Sequence, residues 1–549
     1  MVTARSEFSY ADEFVTDIAT AYRHSADAVL PVRVTERRDY TAEGRFLTTR
    51  LRDFREDADP QFRFFPGLPR AVENPDRTMT VHVYHPAAFS GETDPFSPLQ
   101  TGSCRVHVTL HGTHDATAGL PVPALPFASQ PLPGNFRVLD GKSRQVRVLM
   151  GEQGLPLVSE QQVLAGTWTV VSQEFLDYAA SLLHRGTRRR TARDGTPWQA
   201  AAQTWIAGRV TTTVNEFGTA ESRSYDVLGR LAATVREGAS ADGITIAPLT
   251  THFAHDAAGE LRRRATVAGA EALVGTFGHD TAGRLVREAA PGRGETAYSH
   301  AVETRTRTAV FPDGATRVET RRRDGSLASI TGTAVVAEHH QQTVEPDGTV
   351  RSGSRVRTAS DARFRETITD WLGRTVRRAE PGFASNPPRA EEFTYDATTG
   401  LPSTNSRTSQ ALVRFHHNAA GEKTREGLDL EEDGLVTASM DRISDFDTAA
   451  ELVEGALWLT TRRWTYPHAR SDARVLVSAE RRRLTGLSAS LREETRTTDH
   501  EGNVTTRTVN VDATARRVVI SVTAPGLARP ATEVRLAGLT VTETNRFRS

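Results

Sequence analysis

The sequence predicts an all-β chain, a ribbon of antiparallel hairpins set side by side. Three observations predict it. A short Asp/Gly corner recurs, the gaps between copies fit two strands, and the segments between corners alternate with strand composition. The 549 residues exceed one compact core of ordinary size. The chain is therefore either several domains or a repeat array that grows lengthwise.

The clearest corner is Tyr225-Asp226-Val227-Leu228-Gly229-Arg230-Leu231. Related runs carry Asp256 and Gly259, then Asp280, Gly283 and Arg284, then Asp370, Gly373 and Arg374. Further copies are Tyr395-Asp396 with Gly400, His417-Asn418 with Gly421, Phe446 to Leu452, and Asp499 with Gly502. Tyr40 to Phe46 and Leu176 to Leu182 are weaker relatives. Copies at 225, 255 and 279 are 30 and 24 residues apart, and those at 395, 417 and 446 are 22 and 29 apart. Two strands of about 6–9 residues and two turns use that length. The interval from 279 to 369 holds a second corner type, at Pro312-Asp313-Gly314, Asp324-Gly325 and Pro346-Asp347-Gly348.

Each corner is turn chemistry. Asp and Gly three apart suit a type I turn, and the Asp carboxylate accepts an N–H two residues on. Gly supplies the positive φ that closes a hairpin with a bulge. Between corners, Arg209 to Val214 and Asn503 to Val509 are rich in Thr, Val and Arg, as half-buried strands are. Helical periodicity is scarce; Glu174–His184 and Trp198–Ile206 are the two segments expected as short helices.

Residues 1–160 are expected to be degenerate repeats with longer Pro-rich loops, or else a separate β domain. Gly-Leu-Pro recurs at Gly67, Gly119, Gly154 and Gly400, and Asn74-Pro75-Asp76-Arg77 reads as a Pro-Asp-Gly corner that has lost its Gly. Residues 161–549 are expected to be the repeat ribbon proper.

Composition narrows the function. Lys+Arg and Asp+Glu both total 68, so the basic excess of a nucleic-acid binder is missing. Lys142 and Lys423 are the only lysines among those cations. Arginine's planar fork suits cross-strand pairing with Asp and Glu, although source codon bias explains the imbalance as well. Cys104 is the only cysteine, which excludes an intrachain disulfide. No apolar run approaches the roughly 20 residues of a membrane helix. Met1 to His24 lacks the apolar core of a secretory signal. The expected location is open: cytoplasmic, exported by a route without such a signal, or part of a longer chain.

The Tyr-Asp-x-x-Gly-Arg-Leu run and its relatives resemble the YD repeats of the rearrangement hotspot (RHS) family. That family includes bacterial polymorphic toxins, shells of insecticidal toxin complexes and animal teneurins. Good or moderate copies cover roughly 220–510, and weak ones extend back to about residue 40. The resemblance implies a spiralling antiparallel ribbon forming an open or partial hollow shell, with an extracellular or cell-surface location. Toxin members enclose a C-terminal toxic domain behind a core Asp-Pro-x-Gly motif. Here Asp59-Pro60 and Asp94-Pro95 lack that continuation, and the sequence stops at Arg546-Phe547-Arg548-Ser549 within repeat-like sequence. The expectation is a partial wall without core motif or toxin domain. Its end strands, near Ala531 to Thr544, are expected to be an exposed edge.

Candidate sites follow, each beside its structural explanation. Cys104, His107, His111, His114 and Asp115 are ligand types for zinc, but no second ligand pair with finger spacing follows. A polar strand and loop explains them, and no metal or other cofactor is expected. His339-His340 and His416-His417 fit turn and aromatic-slot positions, with pH sensing as the alternative. Asp140-Gly141-Lys142-Ser143 ends like a phosphate loop but has Phe136 where the first Gly belongs. The repeated carboxylates are turn formers first, and no nucleophile elbow or metalloprotease motif is present. No enzymatic activity is expected. Trp371, Trp458 and Trp464 are candidates for stacking on sugars, against core packing as the structural explanation.

Three functional readings stay open. The chain is a shell or scaffold partnered by an effector domain or another RHS chain. Or it is a surface module binding carbohydrate or protein. Or it is an inert piece of a longer protein.

Overall fold

The computed structural model describes residues 14–16, 20–26, 32–42, 45–54, 67–87, 96, 104–121, 132–151, 154–178, 186–191, 197–206, 209–215, 217–241, 243–383, 387–437, 441–466, 473–488, 490–527 and 529–544. For 14–26, 32, 42, 86, 175–206 and 542–544 it describes the backbone alone.

Among these residues there are strands, turns and bends and no helix. Among the described residues the strands number 41, of which 39 form one sheet. Every pairing is antiparallel and, except where Leu231–Arg236 pairs with Leu249–His255, joins strands adjacent along the chain, from Phe14–Thr16 with Thr20–Ala26 to Ala531–Leu536 with Leu539–Thr544. One small hairpin, Ala239–Ala241 with Ile244–Ile246, projects between Leu231–Arg236 and Leu249–His255. The fold is thus a continuous hairpin ribbon. Among the described residues, Leu539–Thr544 pairs only with the strand before it.

Two expectations are corrected. Glu174–Tyr178 belongs to the strand Thr167–Tyr178, and Trp198–Ile206 to the strand Pro197–Ile206. Both pair with Gly186–Thr191; neighbouring strands supply partners for their backbones, which local propensity does not weigh. Residues 179–184 lie outside the described residues. The Phe446–Leu452 copy is not a corner either. It lies inside the strand Arg442–Val453, and the chain turns at Glu454-Gly455 instead. Ala450 stands where a corner needs glycine, so no residue there reaches positive φ readily. Asp177 is likewise in a strand.

The apolar core is densest between residues 71 and 168. Val81, Val83, Val106, Val108, Leu110, Leu149 and Val158 point to one face of the sheet. Phe96, Phe136 and Val138, from long connections, cover that face and are themselves buried. Each buried ring contributes roughly 1.5–3 kcal/mol. These three side chains thus cover one sheet face. On that face, buried Glu160 accepts hydrogen bonds from Arg147 Nε at 2.9 Å, Gln162 Nε2 at 2.6 Å and Gln173 Nε2 at 3.2 Å. A carboxylate buried this deeply persists because its lone pairs are satisfied. The strand Pro156–Ala165 crosses the sequence boundary drawn at residue 160.

Candidate functional site

The corners are the unit from which the site is built. Gly229 N–H donates to Asp226 O at 2.8 Å, and Asp226 N–H to Arg230 O at 2.9 Å. Asp226 Oδ1 accepts the N–H groups of Leu228 and Arg230, both at 2.9 Å, and Oδ2 accepts Arg230 Nε at 2.7 Å. Gly229 has φ 80°. The corners at Asp280 and Asp370 repeat this pattern with Arg284 and Arg374. Asp256 keeps the backbone bonds while Glu260 replaces the arginine. At Asp396 one extra residue enters, and Thr399 helps to close the loop before Gly400. These N–H groups and the arginine hold the Asp226 and Asp280 carboxyls below the usual carboxylate range.

The motif also joins corners to one another, which the sequence reading did not foresee. Arg230 Nη1 donates to Asp256 O at 2.8 Å, and Arg374 Nη1 to Gly400 O at 3.0 Å. Tyr225 OH donates back to Val210 O, and Tyr395 OH to Thr375 O, each at 2.7 Å. Asp closes a corner, Arg reaches the next one and Tyr the previous strand. The coincidence of Tyr, Asp, Gly and Arg in the best copies was the available signal. Asn74-Pro75-Asp76-Arg77 makes the same corner, with Arg77 at φ 71° in place of glycine.

Corners alternate between the two rims of a ribbon. The Asp226, Asp256, Asp280, Asp370, Asp396 and Asn418 corners all share one rim, here the lower. The Asn74–Arg77 corner and the Leu139–Ser143 corner lie on the upper rim. After one circuit the lower rim of the second pass rests on the upper rim of the first. Lys142 Nζ donates to Glu422 Oε2 and to Thr448 O, each at 2.6 Å, across 280 and 306 residues of sequence. Ala450 N–H donates to Gly141 O at 2.6 Å. Val163 is buried with Ala450 and Leu457, and Phe217 packs on Val509, Val511, Val518 and Ile520. Arg516 pairs with Glu237. A Cβ on Gly400 would approach Leu47 Cδ1 to 2.5 Å. All these contacts join an upper-rim segment to a lower-rim segment, so the ribbon is a coil with a seam between its turns.

Lys142 shows how the seam is keyed. In the Asn418 corner, Glu422 stands where other corners carry arginine, and Asn418 Nδ2 donates to Glu422 Oε2 at 3.0 Å. The inverted charge receives Lys142. The Asp140–Ser143 run, which ends like a phosphate loop, is therefore a clasp.

Gly218 offers a direct test of the seam. A Cβ there would fall 2.2 Å from Ala513 O, whereas one on Gly259 meets nothing within 4 Å. Both glycines have positive φ, so alanine costs about 1–2 kcal/mol of backbone strain at either. Gly218→Ala is expected to speed hydrogen exchange in Val504–Asp512 and Arg517–Thr523 as well. Equal exchange there in Gly218→Ala and Gly259→Ala would remove the seam from consideration.

The histidines do not gather as the sequence suggested. His107 and His111 share one face of the strand Cys104–Thr113, while Cys104 packs on the opposite, apolar face. His114 Nε2 lies 3.0 Å from Asn74 O, tied to a corner. Among the described residues no group of three or more His, Cys, Asp or Glu has metal-holding geometry. Instead His107 Nε2 lies 3.0 Å from His82 Nδ1 and stacks on Tyr84, a pairing visible only once the strands are in register. His340 lends its carbonyl to Arg322, and His416 and His417 are on the strand Leu412–His417.

The three tryptophans do not form a shared surface. Trp458 is 1% exposed, which corrects its reading as a sugar-stacking residue. Trp371 donates its indole N–H to Asp347 O at 3.0 Å, linking two lower-rim corners. Trp464 lies under the Arg474 guanidinium, 4.2 Å from the ring centroid. It lines a shallow cavity of about 490 Å³ with His416, Arg425, Asp445, Phe446 and Arg474. Asp445 there is held by Arg425 at 2.7 Å and by Tyr466 OH at 2.8 Å, so its lone pairs are engaged within the wall.

No protein-family model matches the chain, and no curated protein matches it. Solved structures do. The crystal structure of TcdB2-TccC3-TEV is 12% identical over 96% of this chain and 30% of that one, with a TM-score of 0.37. The crystal structure of TcdB2-TccC3-Cdc42 is 11% identical over 96% and 35%, with a TM-score of 0.35. The Photorhabdus luminescens Tc holotoxin pore is 11% identical over 96% and 34%, with a TM-score of 0.23. Each match covers nearly all of this chain and about a third of the other, longer chain.

Proposed function

We propose that the chain is a non-catalytic wall, a length of coiled ribbon that encloses or presents a secreted or contact-delivered effector. The observation that carries this reading is the seam. One ribbon whose successive turns lock rim to rim makes a curved surface with an inside, which a flat sheet does not. The recurrent residues support a structural role. Asp226, Asp280 and Asp370 engage both carboxylate oxygens in closing corners, leaving little for acid–base work. The resemblance to YD repeats points the same way, with an effector domain or a second RHS chain as partner and an extracellular site of action. Negative-stain electron microscopy of the purified chain tests it. Curved hollow walls are expected; separate beads or straight flat ribbons would end the proposal.

A further inference from the structure

The coil leaves a large part of each rim without a neighbour. Among the described residues, the seam uses the upper rim from Thr41 to Ala241 and the lower rim from Trp371 to Leu536. The lower rim before that stretch, with the Asp226, Asp256, Asp280 and Glu345–Gly348 corners, meets no other turn. Among the described residues the upper rim after the Ala239–Ile246 hairpin, with the connections at 332–337, 381–383 and 430–437, meets no other turn either.

These free rims carry apolar side chains at their tips. Val227 and Leu228 occupy the two central positions of the Asp226 corner and are 103% and 68% exposed. Val302 and Val344 stand exposed beside other free lower corners. On the free upper rim Val336, Phe383 and Leu435 do the same. Inside the seam Val163, Ala450 and Leu457 are buried together. The comparison is closest between equivalent corners. Trp371 and Leu372 fill the positions of Val227 and Leu228, are half-buried, and lie where the second pass meets Thr41. At these equivalent corners the tip is half-buried in the seam and bare outside it, although Leu120 and Leu452 stay exposed beside the seam.

The geometry points to a second copy of this chain as the occupant. The lower rim around Val227 and Leu228 docks on the free upper rim of another copy, continuing the seam by one more turn. This rests on the wall reading and adds to it a partner and a direction. Two features favour a copy of the chain. The bare rims are continuous with the seam already formed. They are the same two rim types that fit each other within one chain. The contact is heterologous, lower rim on upper rim, so it extends end to end and does not close at two copies. Bare apolar tips on a rim are the kind of surface that such a contact covers.

Two variants of the full chain test it, Val227→Asp with Leu228→Asp on the lower rim, and Phe383→Asp on the upper. All three side chains are exposed, so far-UV circular dichroism and the melting temperature are expected to match the unaltered chain. In sedimentation velocity the unaltered chain is expected to grow beyond its 60.0 kDa with concentration. Each variant alone is expected to lose that growth. Mixing the two variants restores pairs only, because each retains the rim that the other has lost. A chain that stays single at every concentration overturns the inference, as do variants that associate like the unaltered chain. Curved walls in micrographs of a single-copy chain would leave the wall reading standing and remove only this inference; beads would remove both.

Discussion

Replacing Trp458 with alanine is expected to cost about 3–5 kcal/mol, as truncation of a buried aromatic does. Trp458 sits mid-strand in Ala456–Thr465, paired across to Glu451 and Arg483. The Arg483 and Arg496 guanidinium groups lie 5.8 and 4.7 Å from its ring centroid, and Glu494 holds both arginines at 2.7 and 3.0 Å. The indole is therefore the floor under an ion-pair cluster, and alanine leaves both a cavity and a loosened cluster. Its Nε1–H is buried without a hydrogen-bond partner. Trp458→Phe removes that unmet donor, worth about 1–3 kcal/mol, and offsets much of its own packing loss. Urea denaturation followed by circular dichroism checks the order: alanine far below phenylalanine, with phenylalanine near the unaltered chain. A small effect from Trp458→Ala would contradict the burial. Because ribbon stability is a sum over neighbours, the loss is expected first in hydrogen exchange of Arg442–Val453 and Val475–Arg483.

Trp458 also shows where sequence reading stops. Its burial depends on arginines 25 and 38 positions away, and no local pattern reports that. The corners were legible because their cause is local. A carboxylate, two or three N–H groups and one positive φ lie within five residues, so Asp226 to Arg230 could be read directly. Asn74-Pro75-Asp76-Arg77 was legible even without glycine, since Asp76 Oδ1 still takes the Thr78 N–H. Phe446 to Leu452 misled because it keeps the aromatic, the Asp and the Leu but not the residue that turns the chain. The two supposed helices misled because their partners are neighbouring strands. The seam was illegible altogether. Lys142 and Glu422 are unremarkable apart, and only the length of one circuit brings them together. The rarity of lysine, two residues in the chain, was the one hint that position 142 differed from its arginine-bearing surroundings.

Acidification from pH 7 to about 4 is expected to destabilise the region between Thr78 and Met150 before the rest of the ribbon. His82 is on the strand Thr78–Ala87, and His107 and His111 face it from Cys104–Thr113. Burial, then His107, His111 and Arg70, pushes the His82 imidazole down to about 4. Burial and then Arg105 lower His107, and burial and then Arg144 lower His111. The charged groups that lower these rings are cations or other imidazoles. The sign follows from linkage. An unfolded His titrates near about 6.5, so between about 6.5 and 4 the unfolded chain binds protons that the folded one refuses. Stability is full above that window and falls as pH drops through it. For His82 the unscreened effect is about 3 kcal/mol, and solvent reaching the ring reduces it to roughly 1–2 kcal/mol. The corner carboxylates act lower on the scale, since their own titrations are pushed below the usual carboxylate range. His82→Gln keeps a polar side chain beside His107 and removes one titration. Its melting temperature is expected to fall less steeply than that of the unaltered chain between pH 7 and 5. Parallel slopes would mean that the acid sensitivity lies elsewhere in the wall.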